Sequence, residues 1–123
     1  MIIVSLNSRG LGGAQRKKSL KQLFNNLKPT VIMIQETILE GLKAKTIFKD
    51  TLKDWEVESL DAVGLSGGLI TAWSLAFLKT DSKKMESTLE TKLLDKDTGI
   101  TFTLINIYSP FYERKAFWEK IKT

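Results

Sequence analysis

Two apolar segments of the sequence end in side chains that could bind a metal ion or a phosphate group. Residues 1–6 lead into Asn7, and the apolar run 31–34 leads through Gln35 into Glu36. An uninterrupted apolar run predicts a strand covered on both faces, and ligands of open α/β sheets bind beyond the carboxyl ends of such strands. We therefore expect Asn7 and Glu36 to meet at one edge of one sheet. An amide and a carboxylate there suit a hard divalent cation and a phosphate.

The residue inventory restricts the chemistry that this edge could perform. The chain has 123 residues, with no cysteine and no histidine. Disulfides, thiolate chemistry, imidazole general bases and zinc sites built on Cys or His are therefore excluded. Carboxylate, amide, hydroxyl, phenol, ammonium and guanidinium groups remain, and they suit oxygen-ligated magnesium better than any other metal.

Positive charge is concentrated in the first third of the chain. The net charge is +5, and residues 1–35 contain no acidic side chain. Such a cluster predicts binding to a polyanion, of which nucleic acid is the usual one, although a solvated helix face is the alternative interpretation. The basic residues of this segment are Arg9, Arg16, Lys17, Lys18, Lys21 and Lys28.

The predicted helices and strands would position these residues in a mixed α/β sheet system. Apolar residues at 20, 23, 24 and 27 have helical spacing, and Pro29 ends this helix before the second strand. Strand, helix and strand in this order predict a parallel pair. A glycine-rich turn is expected at 7–13, a less regular helix at 39–52 and a closing amphipathic helix at 112–122. Further strands are expected at 55–60, 69–73, 75–78, 86–94 and 100–108, with turns at 64–68 and 96–99.

No segment predicts insertion into a membrane. The longest apolar stretch, residues 69–78, includes Thr71 and Ser74 and is much shorter than the roughly 20 residues of a transmembrane helix. The amino terminus lacks the basic and apolar regions of a secretory signal. We therefore expect an intracellular protein without a membrane partner.

Five short motifs occur in a characteristic order: Ser5-Leu6-Asn7-Ser8-Arg9-Gly10-Leu11, Lys28-Pro29, Gln35-Glu36-Thr37, Ser66-Gly67-Gly68 and Asn106-Ile107-Tyr108-Ser109-Pro110. In order and spacing they resemble the amino-terminal half of the endonuclease/exonuclease/phosphatase superfamily. The greatest likeness is to the endonuclease domains of plant LINE-type retroelements. The resemblance covers residues 2 to about 121, so residues 1–123 would form one partial domain of this superfamily. It implies a DNase I-like α/β sandwich with mixed β-sheets, truncated to its amino-terminal half.

The resemblance implies roles for three residues. Glu36 matches the glutamate that holds Mg²⁺ against the scissile phosphate, and Asn7 matches the asparagine that positions metal and phosphate groups. Tyr108 matches a tyrosine whose phenol contacts the phosphate. A cation and fixed donors would stabilise charge that develops on a phosphoryl group. The candidates for contacting the DNA backbone are Arg9, Arg16, Lys17, Lys18 and Lys21.

Each of these three residues also has a purely structural interpretation. Glu36 could cap the following helix or pair with a lysine, because most carboxylates at strand ends are merely solvated. Asn7 could be a turn residue that satisfies its own backbone, and Tyr108 could be a core residue with a hydrogen-bonded rim.

The sequence departs from the superfamily in the groups that activate water. Complete members continue with an Asp-x-Asn pair and an Asp-His pair, whereas this chain has no aspartate after Tyr108. Without those groups, hydrolysis loses positioning and general-base contributions. We therefore expect a truncated, retroelement-derived endonuclease domain that is inactive alone. The alternatives are a non-enzymatic basic nucleic-acid-binding module, or a structural remnant whose sheet edges need the missing carboxyl-terminal half or another chain.

Overall fold

The computed structural model describes residues 1–8, 14–38, 41–63 and 66–108. The predicted closing helix, Arg9 and most of the predicted glycine-rich turn, including Gly12 and Gly13, lie outside these residues. The described part contains two helices and seven strands. In chain order they are β1 (Ile3–Asn7), α1 (Ala14–Leu27), β2 (Val31–Gln35), α2 (Gly41–Thr51), β3 (Trp55–Val63), β4 (Ser66–Ser74), β5 (Phe77–Met85), β6 (Thr88–Asp95) and β7 (Thr101–Ile107).

The strands form two sheets. One has the order β1-β2-β4-β3, in which β1 and β2 are the predicted parallel pair and β4 runs antiparallel to both of its neighbours. The other is the antiparallel sheet β5-β6-β7. The fold class is therefore α/β with mixed β-sheets, as the sequence predicts.

The four-stranded sheet is the middle of three layers. On one face, Leu20 of α1 and Phe48 of α2 pack against Ile32 and Ile34 of β2. On the other face, the two sheets share a core made of Val31, Trp73, Phe77, Leu93 and Leu104. Strand β2 is thus buried on both sides, which confirms the interpretation of its apolar run. Full burial of each such aliphatic side chain contributes about 1.5–3 kcal/mol.

Two of the predicted element boundaries are wrong. Residues 75–78 were expected to be a strand, but Leu75 and Ala76 form a turn and β5 extends from Phe77 to Met85. Most of β5 is exposed, so its sequence lacks the apolar alternation of a half-buried strand. Residues 64–68 were expected to be a turn, but Ser66, Gly67 and Gly68 begin β4.

Neither helix of the described residues is long and apolar enough to cross a membrane.

Candidate active site

Asn7 and Glu36 lie at the carboxyl ends of neighbouring strands. Asn7 is the last residue of β1 and is aligned with Gln35 of β2. The next residue, Ser8, is only 4% exposed and ties these ends together. Its main-chain N–H donates to the Gln35 carbonyl at 3.0 Å, and its hydroxyl lies 3.3 Å and 3.1 Å from the carbonyl oxygens of Gln35 and Glu36. The two residues therefore lie together at the carboxyl ends of adjacent strands of one sheet, as predicted.

The main chain of Glu36 has a left-handed conformation. Its φ is 57°, and the φ of Ile38 is 53°. The intervening segment is bonded to β4, since the N–H groups of Thr37 and Ile38 donate to the carbonyls of Gly68 at 3.2 Å and Gly67 at 3.0 Å. Left-handed backbone is unfavourable for residues other than glycine, and such strain clusters at functional sites. The surrounding hydrogen bonds hold Glu36 in a geometry that a strand end would not adopt by itself.

Gly68 allows this close approach of β4 to the segment after β2. It has a φ of 92°, and a β-carbon at this position would overlap the hydroxyl of Thr37 and lie 3.1 Å from the main-chain nitrogen of Ile38. The Thr37 hydroxyl is buried and has no hydrogen-bond partner in the described part of the chain. A glycine is therefore required where β4 passes beneath the residue after Glu36.

Tyr108 follows β7 and reaches the same end of the stacked sheets. Its main-chain N–H donates to the carbonyl of Ser87 at 3.0 Å. Its half-buried ring lies over Gly67, where a β-carbon would be 3.8 Å from both Cδ1 and Cε1. Because Gly67 also accepts the hydrogen bond from Ile38, the ring lies beside the segment that carries Glu36. The ends of β1, β2 and β7 are thus brought together, while the chemical roles of their three residues stay predictions.

The strand ends offer few ligands for a metal ion. Glu36 offers one partly exposed carboxylate and Asn7 one amide. Among the residues described, no three His, Cys, Asp or Glu side chains form a group that could hold a metal ion. Mg²⁺ usually keeps several waters and uses one or two protein carboxylates together with substrate phosphates. A hydrated Mg²⁺ therefore fits these residues, and a fully protein-coordinated ion does not.

The helix that carries part of the predicted basic cluster borders the end of β1. Lys17, Lys18 and Lys21 are exposed on α1, and Arg16 belongs to the same helix. A cavity of about 100 Å³ lies between the middle of α1 and the end of β1. Ligand pockets usually measure roughly 300–1,000 Å³, so a nucleotide would have to lie on the open surface. The cavity is lined by Leu6, Asn7, Ser8, Ser19, Leu20, Leu23 and Ile34.

Two residues that shape this site received no individual role from the sequence. Ser8 appeared there only as part of a turn, and Asn106 only as part of a motif. Asn106 belongs to the three-stranded sheet and is 1% exposed, and its side-chain amide bonds to β2 and β4 of the four-stranded sheet. The alternation of Phe102, Leu104 and Asn106 along one strand is a signal that could have identified it, because it places an amide on an otherwise apolar inward face.

No protein-family model and no curated protein matches this chain. Solved structures match its fold. An AP endonuclease from Archaeoglobus fulgidus superposes with a TM-score of 0.71 at 20% identity, over 98% of this chain and 49% of that one. The chain has a DNase I-like fold. The AP endonuclease LMAP from Leishmania major gives a TM-score of 0.65 at 18% identity, over 88% of this chain and 40% of that one.

The 3′ phosphatase NExo from Neisseria, solved bound to a product DNA hairpin, gives a TM-score of 0.66 at 15% identity. The match covers 94% of this chain and 47% of that one. The chain therefore spans half or less of the length of these structures. At such identities the likeness shows the fold alone.

Proposed function

We propose that this chain is the amino-terminal part of a retroelement-derived, Mg²⁺-dependent phosphodiesterase domain that binds DNA and has little hydrolytic activity by itself. The observation that carries the proposal is the meeting of three strand ends that bear Asn7, Glu36 and Tyr108. The DNase I-like fold and the five sequence motifs support the same function. The retroelement origin rests on the motifs.

In this proposal the three residues act on one phosphate group. Bound Mg²⁺ would supply Lewis-acid stabilisation of the charge on the phosphoryl oxygens. Glu36 would hold the ion, while the Asn7 amide and the Tyr108 phenol would orient phosphate oxygens through hydrogen bonds. The left-handed backbone of Glu36 and its hydrogen-bonded surroundings would keep the carboxylate in place before substrate arrives.

Low activity follows in this proposal from the side chains available to activate water. The chain contains no histidine, and residues 109–123 contain no aspartate. General-base catalysis contributes typically 10²–10⁴-fold, so its loss would leave binding with little turnover.

The proposed partner is DNA held through its phosphates. Lys17, Lys18 and Lys21 are exposed on the helix that borders Asn7, and counterion release by such residues makes binding depend on salt. The exposure of these lysines also favours a second candidate function, a basic nucleic-acid-binding module without catalysis. The two candidate functions differ in whether Glu36 contributes to DNA binding in the presence of Mg²⁺.

The two sides of the sandwich differ in how their edge strands are protected. In the described part of the chain, β3 and β5 are edge strands that carry charged side chains. Those of β3 are Glu56, Glu58 and Asp61. Those of β5 are Lys79, Asp81, Lys83 and Lys84, and β5 also has a bulge. The other two edges, β1 and β7, contain no charged residue. Ile3 and Ile105 on them are 44% and 54% exposed. Because charges and bulges normally protect edges, we propose that the β1 and β7 side receives a carboxyl-terminal half or another chain.

The proposal is tested with purified protein, Mg²⁺ and labelled duplex DNA. The expected result is salt-dependent binding without cleavage. In the presence of Mg²⁺, Glu36→Ala should bind DNA more weakly than the control Asp97→Ala, which removes an acidic side chain from the exposed 96–99 turn. Robust cleavage that is lost in Glu36→Ala would overturn the claim of low activity. Equal binding by the wild type and Glu36→Ala, together with loss of binding in Lys17→Ala/Lys18→Ala/Lys21→Ala, would establish the non-catalytic module instead.

A further inference from the structure

Asn106 is a buried amide between the two sheets. It lies on the inward face of β7, where Leu104 contributes to the apolar core and Phe102 packs against it. Its exposed fraction is 1%. A buried amide is unfavourable unless its donors and its acceptor are satisfied, so its partners determine what it does in the fold.

The Asn106 amide group contacts two strands of the other sheet. Its Nδ2 donates to the carbonyl of Ile70 at 2.8 Å and also lies 3.3 Å from the carbonyl of Ile34 and 3.3 Å from the hydroxyl of Thr71. Ile34 and Ile70 face each other in the β2–β4 ladder. Because carbonyl oxygens can only accept hydrogen bonds, the nitrogen of the amide must face them, which fixes the orientation of the group.

The other end of this amide continues the connection to β1. Asn106 Oδ1 accepts a hydrogen bond from Gln35 Nε2 at 2.8 Å, and the same nitrogen donates to Ser5 Oγ at 3.1 Å. The three side chains therefore form a relay across β7, β2 and β1. Each member lies one or two residues before a predicted site residue. Ser5 precedes Asn7, Gln35 precedes Glu36, and Asn106 precedes Tyr108.

We propose that the Asn106–Gln35–Ser5 relay sets the positions of the three strand ends relative to one another. Asn106 and Gln35 are thus positioning residues for the site formed by Asn7, Glu36 and Tyr108. This inference rests on the proposed function of that site. Groups that hydrogen-bond directly to metal ligands typically alter metal affinity by about 10–100-fold when they are removed. The relay acts through the strands that carry the ligands, so we expect an effect at the lower end of this range.

The test uses the full chain with two substitutions and one control. Gln35→Met keeps the length of the side chain but cannot bond to Asn106, and Asn106→Leu keeps the approximate shape while removing the whole set of hydrogen bonds. Gln35→Met leaves the bonds from Asn106 to the carbonyls of Ile34 and Ile70 in place, so it reports on the relay even where Asn106→Leu does not fold. The control is Thr91→Val, because Thr91 is buried in β6 of the three-stranded sheet and its hydroxyl has no partner in the described part of the chain.

Two readouts separate this inference from the proposed function. The first is metal-free: NMR cross-peaks between the Tyr108 ring and Gly67, together with the Glu36 amide shift, report the relative positions of the strand ends. The second is titration with Mn²⁺ as a paramagnetic probe, with broadening at residues 7, 36 and 108. We expect Gln35→Met to weaken the cross-peaks, to shift the Glu36 amide and to reduce Mn²⁺ affinity about tenfold, while Thr91→Val matches the wild type.

The outcomes are distinct. Unchanged cross-peaks, amide shift and Mn²⁺ affinity in Gln35→Met would overturn the positioning role, as would equal changes in Thr91→Val. Weakened cross-peaks in Gln35→Met, with no specific broadening by Mn²⁺ in the wild type, would uphold the positioning role and contradict the proposed metal site.

Discussion

The hydroxyl of Ser8 lies 3.1 Å from the main-chain carbonyl oxygen of Glu36. This contact joins the residue after β1 to the residue after β2, and it acts at the point where the backbone of Glu36 turns left-handed. The conformation of the candidate metal ligand therefore depends on a neighbouring strand end as well as on its own sequence.

Replacing Ser8 with alanine tests this dependence. We expect Ser8→Ala to lower the free energy of unfolding by about 1 kcal/mol, since a net hydrogen bond contributes about 0.5–1.5 kcal/mol. Urea denaturation measures the change. The control is Ser74→Ala, whose hydroxyl accepts a long 3.4 Å bond from Ala76, and it should stay within about 0.5 kcal/mol of the wild type. Equal stabilities for the two variants would contradict the role given to Ser8.

The left-handed backbone of Glu36 predicts an unusual order of stabilities. Glu36→Gly should be more stable than Glu36→Ala by about 1 kcal/mol, because glycine adopts a φ of 57° without steric cost. The comparison of two variants cancels the loss of the carboxylate, and thermal or urea unfolding measures it.

Glu56 provides the matched control for that order. It lies exposed in β3, where glycine weakens a strand, so Glu56→Gly should be less stable than Glu56→Ala by roughly 0.5–1 kcal/mol. The same order at both positions would show that Glu36 is not strained.

Much of the fold and the adjacency of two site residues could be predicted from the sequence, because both follow from local patterns. The uninterrupted run of β2 required cover on both faces, and strand, helix and strand required β1 to lie parallel beside it. These two facts place Asn7 next to Gln35 and Glu36. The hydroxyl contact of Ser8 could not be predicted in this way, since it depends on the path of the chain after each strand.

Other features depend on contacts that are distant in sequence. Strand β5 is an exposed edge, so partner β6 rather than an apolar pattern defines it. Gly67 and Gly68 have the composition of a turn, yet they lie at the start of a strand because this end of β4 pairs with Ala62 and Val63 of β3. Thr37 and Ile38 also donate hydrogen bonds to the two glycines. Asn106 bonds to Ile34 and Ile70 across the core, and no local pattern specifies those partners.

The two glycines at the start of β4 should differ in their tolerance of a side chain. Both have positive φ, so alanine at either position is strained by roughly 1–2 kcal/mol. At Gly68 the new β-carbon also overlaps the Thr37 hydroxyl, and overpacking adds about 1–3 kcal/mol. At Gly67 its nearest neighbour is the Tyr108 ring at 3.8 Å, which is an ordinary contact. Gly68→Ala should therefore be the less stable variant, and equal midpoints in urea would refute the close approach.

The exposed lysines of α1 predict a measurable change in the salt dependence of DNA binding. If all three contact phosphates, Lys17→Ala/Lys18→Ala/Lys21→Ala should reduce the slope of log K against log salt by about 2.7, since each contact contributes about 0.9 on duplex DNA. Fluorescence anisotropy at several salt concentrations measures this slope. The control Lys83→Ala/Lys84→Ala/Lys92→Ala removes the same charge from β5 and β6 and should lower affinity less. Equal slopes for the two triple variants would place the contacts elsewhere.

The uncharged edges predict self-association of the isolated chain. An edge strand without charge can pair with its own copy without repulsion, whereas β3 and β5 cannot. We expect sedimentation velocity to show oligomers that grow with protein concentration, and Ile3→Lys/Ile105→Lys to shift the chain toward monomer. Leu78→Lys is the control, because Leu78 is an exposed apolar residue on the charged edge β5. A wild type that stays monomeric at its highest soluble concentration would show that the β1 and β7 edges need no partner, and dissociation by Leu78→Lys alone would assign the contact to the opposite side.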